Sequence, residues 1–151
     1  GRIEVGETIL AERTVVYDII EQMGDPQEAL LHYATDLDLS WLTEPFPHPV
    51  RQTCLLSADR DGLPEQIPEL EAKYCAVAVD WESGAIAWVA SRNNTRCLIL
   101  RRVTDVFGPD GDEAYDGTGE LFTRQAAVAM SDLIDALPAW LCCAEATSRA
   151  D

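Results

Sequence analysis

The chain has 151 residues, about half of them apolar, and a formal net charge of −16. That length supports one domain with one core, and that apolar content argues against disorder. The charge disfavours a nucleic-acid or anionic-membrane surface, while leaving open a local pocket for a small molecule.

Residues 2–18 are rich in Ile, Val and Thr and alternate weakly, so they predict one or two strands with Gly6 at a turn or bulge. Asp25 as N-cap and Pro26 at the first helical position predict a short helix over 26–35. "TEPFPHPV", 43–50, is an irregular connector because its prolines break any regular ladder. "RQTCLLSAD", 51–59, reads as a strand that ends in small and acidic residues. "LPEQIPELEAKY", 63–74, reads as a helix whose true start is Pro68. "CAVAVD", 75–80, shows little polar alternation, as expected of a strand covered on both faces.

Residues 82–93 read as a helix and 96–105 as another strand. The acidic, Gly-bearing stretch 106–119 reads as a loop. The last helix is predicted over 120–141, with Phe122, Ala126, Ala129, Met130, Leu133 and Leu137 on one stripe. Pro138 is expected to end or kink it, and 142–151 to fray. No apolar run approaches the roughly 20 residues that a membrane span needs. No charged-then-apolar leader opens the chain, which begins at Gly1. Cys54, Cys75, Cys97, Cys142 and Cys143 are odd in number and lack CxxC spacing. They read as reduced thiols of a cytoplasmic protein. Metal and cofactor sites are not expected, since His32 and His48 lie in the least regular part of the chain. Strands alternating with helices give an α/β class: a three-layer α/β/α sandwich around a mostly parallel or mixed sheet.

Ligands of open parallel sheets sit beyond the carboxyl ends of the strands. Three strand ends here carry acids: Ser57-Ala58-Asp59, Asp80-Trp81-Glu82 and Thr104-Asp105. If the helix 82–93 joins two neighbouring parallel strands, Glu82 and Asp105 face one pocket, because adjacent strands are about 4.8 Å apart. One carboxylate would then grip hydroxyls and the other would handle a proton. Acids after strands also serve simply as helix N-caps and turn formers.

The stretch "AVAVDWESGAIAWVASRNNTRCLILRRVTD" resembles the C-terminal half of the nucleoside phosphorylase and nucleosidase superfamily. Its methylthioadenosine/S-adenosylhomocysteine nucleosidase branch is the most similar. That branch has an Ala-Val-Glu-Met-Glu strand end, matched here by Ala78-Val79-Asp80-Trp81-Glu82, and an Arg-x-x-Ser-Asp ending, matched by Arg101 to Asp105. "LLSADRD" resembles the Ser-Gly-Asp strand end, and "VGETILAERTVVYD" resembles the Val-Gly-Asp-x-Val-Val stretch. The resemblance implies hydrolysis of a purine nucleoside's N-glycosidic bond in a partial phosphorylase/hydrolase-like fold. Glu82 would hold the ribose hydroxyls. Trp81 would pack against the sugar, or else fill the core. Asp105 would protonate the leaving purine, which requires burial or nearby negative charge to keep its proton. Asp59 and Arg60 fall on the base side, where the family carries an aromatic residue.

The same resemblance implies that the family's N-terminal strands, with the acid that activates water or the Gly/Arg phosphate site, are not in residues 1–151. The expectation is therefore a single nucleosidase-like domain, read as a fragment, a cleaved subunit or a degenerate relative. It would act on a small-molecule nucleoside, as a homodimer or with a complementing chain. The alternatives are a phosphorylase and an inactive nucleoside-binding or structural paralogue.

Overall fold

The computed structural model describes residues 3–60, 63–108, 111–112 and 118–145. The chain falls into two compact units, each assembled from separate chain segments. The first takes Gly1–Ile9, Leu39–Arg51 and Leu100–Asp151; the second takes Leu10–Asp38 and Gln52–Ile99.

The second unit holds most of the sheet. Strand β1 (Thr8–Val16) enters it at Leu10 and pairs antiparallel with the short β2 (Thr35–Asp36), Arg13 opposite Asp36 and Thr14 opposite Thr35. Strand β3 (Arg51–Ser57) lies on the other side of β1 and pairs parallel with β4 (Ala78–Asp80). The sheet is therefore mixed, and the class is α/β as the alternation of elements predicts. Side chains of a strand alternate between faces, and here both faces are covered. Leu55 and Ala78 pack with Ala11, Ala87 and Ile99 in one cluster, which brings in α3 (Ser83–Arg92) through Ala87. Cys54, Leu56 and Val79 pack with Val15, Ala76, Leu70 and Tyr74 in the other, which brings in α2 (Ile67–Tyr74). This explains why "CLLS" and "AVAV" carry apolar or small side chains at successive positions.

Local signals set most element ends. Asp25 accepts a hydrogen bond from the Gln27 N–H (2.8 Å) and starts α1 (Pro26–Tyr33) as expected. Helix α2 begins one residue before Pro68, after a 3₁₀ turn over Pro64–Gln66. It ends with Cys75 in the left-handed region (φ 53°), its N–H donating to the Glu71 carbonyl. That ending occupies Cys75, so β4 starts at Ala78 instead of residue 75.

In the first unit, β5 (Leu100–Arg102) is flanked by Val103, which pairs with the lead-in to β1. Gly6 N–H donates to the Val103 carbonyl (2.9 Å), and Val103 N–H donates to that of Glu7 (3.0 Å). The expected loop contains a small hairpin, β6 (Phe107–Gly108) with β7 (Gly111–Asp112). The last helix, α4 (Glu120–Glu145), continues through Pro138. Trp140 explains the continuation: it is buried, donates its indole N–H to His48 Nε2 (3.0 Å) and lies beside the Phe46 ring. One turn further on, the Cys143 thiol donates to the Thr43 carbonyl (2.9 Å).

The predicted inward stripe of α4 holds only in part. Ala129 is buried, but Phe122, Met130 and Leu137 are exposed, as are Ile134 and Leu141. Residues Glu120–Ala144 form a helix long and apolar enough to cross a membrane by length and composition alone, its most apolar 18-residue window having a mean hydropathy of 1.4.

Candidate active site

The site is built at the carboxyl ends of β1, β3 and β4 in the second unit. In the β3–β4 register Ser57 is opposite Asp80, so the two chains leave the sheet side by side. The Ala58 N–H extends the ladder by donating to the Asp80 carbonyl (3.0 Å), and Tyr17 N–H donates to that of Ser57 (3.1 Å).

Asp80 ties these ends to helix α3. Its carboxylate accepts from the Ser57 hydroxyl (2.7 Å), the Ser83 N–H (3.1 Å) and the Ser83 hydroxyl. The Ser57 oxygen in turn accepts from the Gly84 N–H (2.8 Å). Two of the orphan N–H groups at the helix start are thereby satisfied, and a negative charge sits at the positive end of the helix dipole. Ser57 and Ser83 are buried. Buried hydroxyls need partners, and this network supplies them. Asp80 therefore does what an acid after a strand commonly does: it caps a helix.

Gly84 is required by the same closeness. A Cβ there would lie 2.6 Å from Val16 Cγ2 and 3.0 Å from Ser57 Cβ. Gly84→Ala is expected to cost about 1–3 kcal/mol through overpacking against β1 and β3, measured as a lower urea midpoint at unchanged slope.

The clamp leaves the next two residues facing outward. Trp81 is 61% exposed, so it is not core filler. Glu82 is exposed at the N-cap position of α3, where its carbonyl accepts from the Ile86 N–H while its side chain makes no capping bond. Asp59 and Arg60 emerge from the adjoining end of β3, both exposed. The Asp59 N–H donates to Asp18 Oδ2 (3.0 Å), and Arg60 Nε lies 4.0 Å from the same oxygen. Four of the five residues singled out in the sequence thus share one strand-end edge. Tyr17 completes it: its hydroxyl is buried and has no hydrogen-bond partner among the described residues. Burial pushes its phenol up, Arg60 pulls it down and Asp18 pushes it up.

The fifth residue, Asp105, belongs to the first unit. It is half-buried, two residues beyond Val103, and accepts a hydrogen bond from the Thr104 hydroxyl. The expectation that β4 and β5 are neighbouring strands of one crossover is corrected: β4 pairs with β3, and β5 pairs with β1. The backbone groups around β5 are taken by Gly6, Glu7 and Ala11.

Ser83, Gly84, Tyr17 and Asp18 were not singled out in the sequence, and Ser57 and Asp80 entered only as members of acidic strand ends, without the structural role seen here. The spacing of Asp80 and Ser83 is a local capping signal, but the partnership with Ser57 exists only across the sheet. Among the described residues no group of three or more His, Cys, Asp or Glu side chains is placed to hold a metal ion.

No family model matches the chain. It is 23% identical over 135 residues to the 5′-methylthioadenosine/S-adenosylhomocysteine nucleosidase of Thermotoga maritima, covering 87% of this chain and 60% of that protein. It is 29% identical over 72 residues to the Bacillus velezensis nucleosidase of the same name, covering 47% of this chain and 29% of that one. Among solved structures, the Helicobacter pylori nucleosidase with butyl-thio-DADMe-Immucillin-A superposes with a TM-score of 0.65 at 16% identity. That superposition covers 90% of this chain and 62% of the other. The chain thus resembles these nucleosidases in sequence and has their fold, over no more than 62% of their length.

Proposed function

We propose that this chain, which carries the fold of the methylthioadenosine/S-adenosylhomocysteine nucleosidases, belongs to a protein that hydrolyses the N-glycosidic bond of a purine nucleoside. The observation that carries the reading is the strand-end edge. The Asp80 clamp, joining β3, β4 and α3, holds Trp81 and Glu82 outward beside Asp59 and Arg60. In this reading the Glu82 carboxylate accepts hydrogen bonds from the ribose hydroxyls. Trp81 offers its exposed indole face to the sugar. Charge-assisted bonds of this kind are the strong ones. By the resemblance, independently of this edge, Asp105 would be the residue that donates a proton to the base, because a purine anion leaves poorly. Asp59 and Arg60 border the base. A guanidinium plane can stack on a nucleobase as an aromatic ring does, and this gives Arg60 a role at the position where the resemblance led to an aromatic residue.

A second reading, a nucleoside-binding protein without turnover, is favoured by one observation. Among the described residues Arg60 is exposed and loosely paired with Asp18, at 4.0 Å.

The test is to incubate the protein with methylthioadenosine, with and without inorganic phosphate, and to quantify free adenine by chromatography. Adenine released without phosphate supports hydrolysis. Release only with phosphate makes the protein a phosphorylase. Saturable binding without release supports the second reading, and the absence of both binding and release sinks the proposal.

A further inference from the structure

The first unit contains a cleft of about 550 Å³ in which two guanidiniums, Arg51 and Arg102, meet the Thr8 hydroxyl and the His48 ring. From this cleft we infer a binding site for a small oxyanion, of the phosphate or carboxylate type, and this inference rests on no part of the nucleosidase reading. All the contacts that build the site lie within the one unit.

The local charge departs from that of the chain. The whole chain carries 27 acidic and only 11 basic residues. Around this cleft the two arginines are matched by two carboxylates, the lining Glu7 and Asp132 of α4, so the site is locally balanced and not acidic like the chain. His48 adds no charge. Its Nε2 must accept, because its partner, the indole N–H of Trp140, can only donate. The proton is therefore on Nδ1, which donates to the Pro49 carbonyl (3.1 Å).

Both guanidiniums are held in position. Arg51 is gripped by the Glu7 carboxylate, with Nε 3.0 Å from Oε2 and Nη2 3.2 Å from Oε1. Arg102 donates through Nη1 to the Thr8 hydroxyl (3.2 Å) and pairs through Nη2 with Asp132 of α4 (2.9 Å). Fixing a guanidinium before the ligand arrives removes the entropy that a free arginine would lose on binding. The two side chains are 32% and 27% exposed, partly desolvated yet reachable. A guanidinium has five N–H donors, and the described bonds of Arg102 use two of them, one to Thr8 and one to Asp132. Its remaining donors suit an acceptor-rich, planar or tetrahedral anion.

The test is equilibrium dialysis of the full chain against radiolabelled inorganic phosphate at low salt, without nucleoside. The expected result is saturable binding of one phosphate, displaced by sulfate. Arg102→Met is expected to weaken it about tenfold or more, the value of a charged hydrogen bond. Arg102→Lys retains a cation facing Asp132 but loses the fork, and is expected to weaken binding less. Arg124→Met removes an exposed charge outside this cleft and should leave binding unchanged. Displacement by acetate as well would mark the site as one for carboxylates too; resistance to acetate would mark it as selective for phosphate. The inference fails if phosphate does not saturate, or if Arg124→Met weakens binding as much as Arg102→Met, since bulk charge would then explain the result. Because the readout is binding alone, a protein that releases no adenine still passes or fails this test.

Discussion

Replacing Asp80 with alanine is expected to lower the unfolding free energy by about 3 kcal/mol, one of the two largest effects foreseen for a single side chain here. The carboxylate accepts three hydrogen bonds, from the Ser57 hydroxyl and from the Ser83 N–H and hydroxyl. Removing it leaves those buried donors without their partner, and an unsatisfied buried donor costs more than the bond itself contributed. The loss spreads because Ser57 also receives the Gly84 N–H, so α3 loses its attachment to β3 as well as its cap. Asp80→Asn keeps one carbonyl oxygen but replaces the charge and one acceptor with an NH₂ donor. Its cost should fall between that of alanine and zero. Urea titrations of the three proteins check the order. If Asp80→Ala unfolds at the same midpoint as the parent, the clamp contributes nothing and the placement of Trp81 and Glu82 needs another cause.

Asp105→Asn is expected to lower turnover of a purine nucleoside by about 10²–10⁴-fold, the usual contribution of a general acid. This prediction follows from the proposed hydrolysis. Asparagine keeps the size and the ability to accept from Thr104, whose hydroxyl bonds Asp105 in the structure. What it removes is a transferable proton. The loss should therefore depend on the leaving group. A nitrophenyl riboside, whose phenolate departs without protonation, should be cleaved by Asp105→Asn at close to the parent rate. Equal losses on both substrates would make Asp105 a structural residue and would remove the acid from the mechanism.

The two readings differ in how much of each was legible beforehand. Asp25-Pro26 announces α1 because capping involves residues two or three apart. The weak alternation in "CAVAVD" announces a strand covered on both faces, and Ala78 and Val79 do pack into opposite clusters. Asp59, Trp81 and Glu82 were legible as residues at strand ends because strands alternate with helices, while Arg60 was marked out only by the resemblance. Asp105 was placed with them by assuming that consecutive strands are neighbours.

The sequence alone therefore determined the α/β class, the helix starts and the residues that follow each strand end, since each depends on side chains within a turn or two of one another. Tertiary structure decided the rest. It paired β5 with β1 and β4 with β3, because backbone N–H and carbonyl groups are alike in every residue and carry no local mark of their partner. It carried α4 through Pro138, where Trp140 and Cys143 meet the segment 43–50. It also made Asp80 a clamp, because the buried hydroxyl of Ser57 that completes the network comes from the neighbouring strand.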